Sequence, residues 1–544
     1  MLPYGPDSFC FESLFRTDLD AVQFFAAGSF FNSLMGDQNW RALLVDMQRS
    51  TRYNLLISAM LSVAFFGLVC WLVPMKDAFQ FGADEGCELL KGFMCSNGFS
   101  LYKDMWNDQP PLHTILLSTL FKLFGPTLFG ARLLALAFGT LLFFSFYNIV
   151  AARSGNMGAV AAVLFLLVSP SFLDLCVSVM LEVPAFGTGL LAAWILFIWR
   201  ERQRTSLLLL SGLITGCALQ IKLTAGMLIP AMMAEILLGV SATAGRTKLV
   251  LASRFGRIWF AGFCLSFLTI GILSGESIQP MWKSHTSLVV HEVMGNPLDF
   301  RFSPALFEQH FEAVAGTIFG IVAILLRKHW RQVAFPSILF LTSLTVHLFH
   351  RPYWYYYYLH LLVPMAWISG HAISEASKGF VPTAGGIFKH GLATLWFPSM
   401  GSCLALMFLV EGTPRLHSEL KSLAAQPKVQ DDELLKKILE HREGTRWFYS
   451  DEYIYSFHAR LRVPPAIVVL PRKRFWSGQI NKEQVLDYVK RYQPEQVLVS
   501  SLHKMSPEWE ASAGSEYVLV YDDGGCRLFM SKKVDHGLTP NYRP

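Results

Sequence analysis

Two carboxylates stand side by side at Asp84 and Glu85, and the stretch that follows them closes on Asn107, Asp108, Gln109, Pro110 and Pro111. This stretch lies between one long apolar run and the next, which makes it a loop at a membrane surface. Carboxylates beside a bilayer are costly to desolvate and tend to mark functional sites. A solvated connector is the plainer reading of the loop alone. Further along, Asp174 and Glu182 stand close together, with Glu182 opening another apolar run, and Lys222 sits at a tight turn between two such runs. The loop 275–312 holds Trp282, Lys283, His285, His291, Glu292 and Arg301; His347, His350, Arg351, the aromatic run 353–358 and His360 follow. Each has an ordinary explanation. Glu182 can cap a helix, Lys222 can reach out to headgroups, and the Tyr-Trp run can be an interfacial belt. The histidines are too loosely spaced to argue for a metal and suit hydrogen bonding. Together, however, they put carboxylates, a lysine and an arginine at one membrane face, on helix ends that can converge. Cations there suit a phosphate whose tail lies in lipid, and carboxylates close by suit proton abstraction from a hydroxyl. That is the site needed to move a group off a lipid-linked phosphate.

The elements that must position these residues are apolar. Of 544 residues, 53% are hydrophobic and 16% charged, with mean hydropathy +0.37; a soluble chain carries about 25% charged residues. Apolar runs near the roughly 20 residues that cross a bilayer fall at about 54–75, 131–151, 157–173, 184–199, 206–221, 223–240, 258–274, 313–326, 333–349, 359–375 and 391–410. Backbone polar groups in lipid must be satisfied within the segment, so these are helices. The reading is a polytopic α-helical membrane protein of about 11 spans. The run 112–124 is shorter and holds Lys122, and is expected to lie in the interface. Residues 1–53 form a cytoplasmic or interfacial segment with amphipathic character, without the pattern of a secretory signal; Asp18 and Asp20 in it read as a chance pairing.

Lys and Arg in short loops set the orientation. With the N-terminus inside, the inner loops collect most of the basic residues, Arg200, Arg202 and Arg204 among them, and Asp84 and Asp108 fall outside. The net charge of +6 is scattered over these loops, which argues against nucleic acid as a partner. The nine cysteines are spread singly. Cys87 and Cys95 share the acidic loop, but on one helix they would stand about 12 Å apart, too far to bond. From residue 411 the composition becomes polar, with strand-like runs at 446–449, 466–470, 496–500, 517–521 and 527–530 and a helical stretch at 482–492. Strands alternating with helix predict a small soluble α/β domain over 411–544.

The order of motifs resembles the GT-C membrane glycosyltransferases, and among them the protein O-mannosyltransferase-like and lipid A aminoarabinose-transferase-like groups. The resemblance rests on Asp84-Glu85 after the first span and on Tyr102, Lys103 and Asp104 followed by Asp108 to Leu112. It rests further on Phe129 to Leu133 opening the second span, Met180 to Pro184 opening the fourth, and Lys222 at a later turn. It implies a catalytic domain over 54–410 with its key outer loop at 76–130, an inverting transfer at the extracytoplasmic face, and a polyprenyl-phosphate-linked sugar as donor. The acceptor would be a lipid, glycan or protein of the envelope, and the setting a bacterial inner membrane. Carried over residue by residue, Asp84 is the expected base, with Glu85 and Glu182 beside it as the catalytic set. Asp108, Gln109, Lys222, His350, Arg351 and Tyr355 are expected to bind substrate. Some relatives have Lys-Pro where this chain has Gln109-Pro110, so Lys222 and Arg351 would carry more of the phosphate's charge. The expected outer loops hold no Asp-x-Asp, so no metal or other cofactor is expected to be required. A transporter or flippase of lipid-linked sugars is the rival class; it would show internal repeats and broken polar helices at mid-membrane, whereas the ionisable residues here gather at one face.

Overall fold

The computed structural model describes residues 49–240, 246–286, 302–327, 330–350, 353–379, 393–500 and 516–532. The expectations for the N-terminal segment up to residue 48, and for His291, Glu292, Arg301 and Arg351, fall outside the described residues. The chain forms two compact units, Met1–Leu56 and Ile57–Pro544, and everything below concerns the second.

Among the described residues, each expected apolar run falls largely on helix. Four helices, Tyr53–Leu72, Leu128–Leu167, Glu182–Arg202 and Val250–Leu273, are long and apolar enough to cross a membrane by length and composition; Thr205–Ile221 and Ala334–Phe349 are shorter apolar helices. The protein is a multi-pass membrane protein. Leu128–Leu167 runs through two expected spans. Its backbone leaves helical geometry at Gly155, where φ is 71°, a left-handed conformation that costs a residue without a Cβ little. Pro184 in the first turn of Glu182–Arg202 loses no hydrogen bond there, because first-turn N–H groups have no intrahelical partner. Trp199, Phe335 and Trp367 are buried in the core shared by these helices, and Phe335 and Trp367 stack with ring centroids 5.5 Å apart.

Above the helices lies a layer built from the first polar loop and the C-terminal segment. The loop folds into helix Glu85–Ser96, which packs with helix Leu112–Phe124 through Leu89, Phe93, Leu117 and Phe121. Helix Tyr453–Ala459 closes this cluster with Ile454 and Phe457. Cys87 and Cys95 sit along one helix as free thiols. The C-terminal segment carries a mixed four-stranded sheet in the order β1-β2-β4-β3, with β1 at Phe448–Ser450, β2 at Gln496–Ser500, β3 at Tyr517–Asp522 and β4 at Cys526–Ser531. β1 and β2 are parallel, and β4 pairs antiparallel with β2 and β3. Helix Lys482–Tyr492 begins on a capping box between Asn481 and Gln484, which satisfies N–H groups that have no partner inside the helix. One expected strand is absent among the described residues: 466–470 is not a ladder strand but begins inside the short 3₁₀ turn Pro465–Ile467. Proline has no N–H to donate, so Pro464 and Pro465 take this run out of the sheet.

Candidate active site

The expected carboxylates part company at the first residue of helix Glu85–Ser96. Asp84 occupies the N-cap position without capping the helix; its Oδ2 accepts a hydrogen bond of 3.1 Å from the Tyr356 hydroxyl. Burial first, and then the Asp84 charge, push the Tyr356 phenol well above its ordinary range, so it stays protonated and donating. Glu85 turns the other way. It is fully buried against Arg132 in a two-pronged ion pair of 2.9 and 2.8 Å, and it also accepts from the backbone N–H groups of Phe81 at 2.8 Å and Val179 at 3.3 Å. Arg132 also donates through Nη1 to the carbonyls of Met75 and Ala78 and lies over the Phe81 ring. Glu85 therefore has no place in the cavity wall, in contrast to its expected role beside Asp84; adjacency in sequence says nothing about a partner 47 residues away.

Asp84, Asp108, Gln109, Glu182, Lys222 and Tyr355 are brought together in the wall of one cavity of about 530 Å³. Glu182 opens its helix and Lys222 ends the helix Thr205–Ile221, so two helix ends meet and their side chains form a buried ion pair. The Lys222 ammonium also lies 5.0 and 5.1 Å from the ring centres of Tyr356 and Tyr357, which is within cation–π range. Burial would lower the pKa of Lys222, but Glu182 beside it holds the ammonium form above its usual range. His350 lies instead in a second cavity of about 360 Å³, where Leu223, Met227 and Val346 stand beside Thr224, Thr342 and His347; Gln109, Lys222 and Tyr357 line both cavities.

Several lining residues carry no signal in the sequence reading. Glu88 and Lys91 pair at 2.7 Å with both side chains buried. Burial would raise Glu88, yet Lys91 and His113 pull it down to about 2. Lys91 also donates to Asn107 Oδ1 at 3.2 Å, and Asn107 and Tyr102 both donate to the Gln109 carbonyl, at 2.7 and 2.6 Å. This chain of bonds fixes the backbone that presents Asp108 and Gln109. The spacing of Glu88 and Lys91 on one helix face was legible in principle, since residues three apart are neighbours. From the C-terminal segment come Asp451, Tyr453, Arg472 and Lys473; the basic run Arg472, Lys473, Arg474 after Pro471 was the available signal. Asp451 accepts from the N–H and hydroxyl of Ser500. Among the described residues no group of three or more His, Cys, Asp and Glu could hold a metal ion.

Residues 108–265 match the dolichyl-phosphate-mannose-protein mannosyltransferase family. Comparison with the curated proteins gives no match. Among solved structures, ArnT from Cupriavidus metallidurans bound to undecaprenyl phosphate aligns with a TM-score of 0.52 at 14% identity, over 87% of this chain and 97% of that one. The apo state of the same ArnT gives 0.55 with the same identity and coverage. The fold is GT-C-like. The oligosaccharyltransferase of Archaeoglobus fulgidus in its apo form agrees, with a TM-score of 0.54 at 13% identity over 89% of this chain and 75% of that one. The same GT-C-like architecture is thus shared with solved structures of different length.

Proposed function

We propose that this protein is a membrane glycosyltransferase that moves a sugar from a polyprenyl-phosphate donor to an acceptor hydroxyl, with inversion, at the extracytoplasmic face of a bacterial inner membrane. The observation that carries the reading is one cavity lined by Asp84, Glu182 and Lys222 and adjoined, through Lys222, Gln109 and Tyr357, by a more apolar one that holds, among the described residues, no carboxylate and, besides Lys222, no lysine or arginine. A phosphate ester with a greasy tail needs that junction: a buried cation at the boundary between a polar and an apolar space. The bound undecaprenyl phosphate of the ArnT structure supports a donor of this class, and the excess of Lys and Arg in the expected inner loops supports the side.

In this mechanism Asp84 takes the proton of the acceptor hydroxyl while that oxygen attacks the anomeric carbon. The new C–O bond forms as the bond from the anomeric carbon to the phosphate oxygen breaks, and the polyprenyl phosphate leaves with the electron pair. Lys222 meets its charge, and Glu182 keeps Lys222 protonated and aimed. Tyr356 holds the Asp84 carboxylate in line. Asp108 and Gln109 bind the sugar or the phosphate, as do Tyr355 and, from the apolar side, His350. Arg351, which lies outside the described residues, is assigned to the phosphate from its place in the sequence next to His350. Glu85 is a positioning residue: with its oxygens occupied by Arg132 and two backbone N–H groups, it anchors the turn from which Asp84 projects.

The test is transfer from a radiolabelled polyprenyl-phosphate sugar by the purified protein in detergent. Asp84→Asn should lower it by about 100- to 10,000-fold while leaving the folded protein intact, and transfer near the wild-type rate would remove the proposed base. Movement of the labelled lipid across a reconstituted bilayer with no glycosyl product would assign the protein to the flippase class.

A further inference from the structure

The two walls of the large cavity differ in charge. On the membrane-helix side, four carboxylates, Asp84, Glu88, Asp108 and Glu182, face two ammonium groups, Lys91 and Lys222, and each ammonium is already held by a carboxylate, Lys91 by Glu88 and Lys222 by Glu182. From the C-terminal segment come Arg472 and Lys473, for which the structure gives no ion pair or side-chain hydrogen bond among the described residues, and one carboxylate, Asp451, which is occupied by the N–H and hydroxyl of Ser500. Their neighbour Arg474 is built into the protein. It is buried, donates to the carbonyls of Ala466 at 3.0 Å and Val469 at 2.8 Å, and lies over the Trp106 ring. Trp106 in turn donates to Gln479 at 2.8 Å. The bolted Arg474 thus fixes the segment that presents Arg472 and Lys473 to the cavity.

We infer that Arg472 and Lys473 form an anion-binding subsite, supplied by the C-terminal segment, for a phosphate or carboxylate group on the acceptor. The inference rests on the glycosyltransferase reading of the cavity and adds the acceptor's chemical class to it. An anionic group entering this space meets an excess of carboxylates on the helix side, so it needs a countercharge; Arg472 and Lys473, without an ion-pair partner among the described residues, supply two cations against the single carboxylate of Asp451 from the C-terminal segment. The donor phosphate is not their ligand: its place is at Lys222, where the apolar cavity begins, and neither Arg472 nor Lys473 lines that cavity. Guanidinium and ammonium groups both make strong charge-assisted bonds to phosphate and carboxylate oxygens. Both residues are partly or fully exposed, so the subsite is screened by salt and selects among acceptors without trapping them.

The experiment uses the full-length protein in detergent, with undecaprenyl phosphate as the donor-side probe and glucose 1-phosphate against glucose as the acceptor-side probes. Binding is followed by tryptophan and tyrosine fluorescence. The double variant R472Q/K473Q should bind glucose 1-phosphate about tenfold more weakly than wild type, as expected for two lost charge-assisted contacts. It should hold undecaprenyl phosphate within about twofold of the wild type, which also certifies its fold. Raising the salt should erase the difference. Equal binding of glucose 1-phosphate by variant and wild type, or wild-type binding no tighter than that of glucose, overturns the subsite. Loss of undecaprenyl phosphate binding in a folded variant gives these cations to the donor and overturns the acceptor assignment. Failure of the wild type to bind undecaprenyl phosphate would count against the glycosyltransferase reading instead, and the sugar-phosphate comparison would still decide the subsite.

Discussion

The polar groups behind the cavity and those facing it follow opposite rules. Behind it, bonding is complete around one ion pair: Glu85 takes four donors from Arg132, Phe81 and Val179, and Arg132 donates in turn to the carbonyls of Met75 and Ala78. Facing it, the exposed Asp84 takes one hydrogen bond, from Tyr356, among the described side chains, and Arg472 and Lys473 take none there. Burying a charge is tolerable only with its bonds completed, so the rear network can hold geometry and do little else. The front is left with capacity for a ligand. Neighbouring residues of the same type, 84 and 85, thus fall on opposite sides of the division.

That contrast can be broken experimentally. The largest effect expected is on rate: Asp84→Asn should lower transfer by about 100- to 10,000-fold, the span of general-base catalysis, with no change in the thermal midpoint. Arg132→Met should do the reverse. It strands Glu85 without its countercharge and should cost about 3–5 kcal/mol, read by thermal unfolding in detergent; a variant as stable as wild type would put Arg132 outside the scaffold. Lys222→Gln falls between the two regions, because it is buried, paired and on the wall. It should lower transfer by about 100- to 1000-fold, as for loss of one charge-stabilising donor, with a smaller loss of stability. The smallest effect is in pH. Burial pushes Asp174 up to about 6 and Glu419 up to about 7, and the Asp174 N–H donates to Glu419 at 3.0 Å. The folded protein keeps protons that the unfolded chain has already released near pH 4. This contribution is complete below that pH and is lost as the pH rises through 6 to 7. Between pH 5 and 7 the wild-type midpoint should therefore fall by about 2 °C relative to Asp174→Asn. A parallel pH profile for the two proteins would show that the pair is already ionised.

Much of this was legible in the chain. Apolar runs mark helices because lipid leaves a backbone no other partner, and residues 84, 108, 182 and 222 sit at the ends of such runs, where they are free to converge. What stayed hidden depends on contacts at long separation. Nothing local distinguishes Glu85 from Asp84 until Arg132 comes into view. Tyr356 is one tyrosine in an aromatic run, and only the fold picks it out as the donor to Asp84. The strand-like pattern of 466–470 was real in composition, but the prolines before it outweigh propensity. Arg472 and Lys473 look like ordinary solvated charges beside Arg474, and only the packing of Arg474 on Trp106 separates the structural cation from the two in the cavity.

Gly86 sets the order in which the cavity can be completed. A Cβ there would come within 2.7 Å of the Ile454 backbone nitrogen, so the last segment of the chain rests directly on the helix that follows Asp84. One wall of the cavity belongs to residues near 84 and another to residues near 472. During synthesis the early wall therefore waits, open, until almost the whole polypeptide has emerged and its final portion has docked. A nascent or truncated chain would present the acidic helix end without its roof, and competence for substrate would arrive late and all at once.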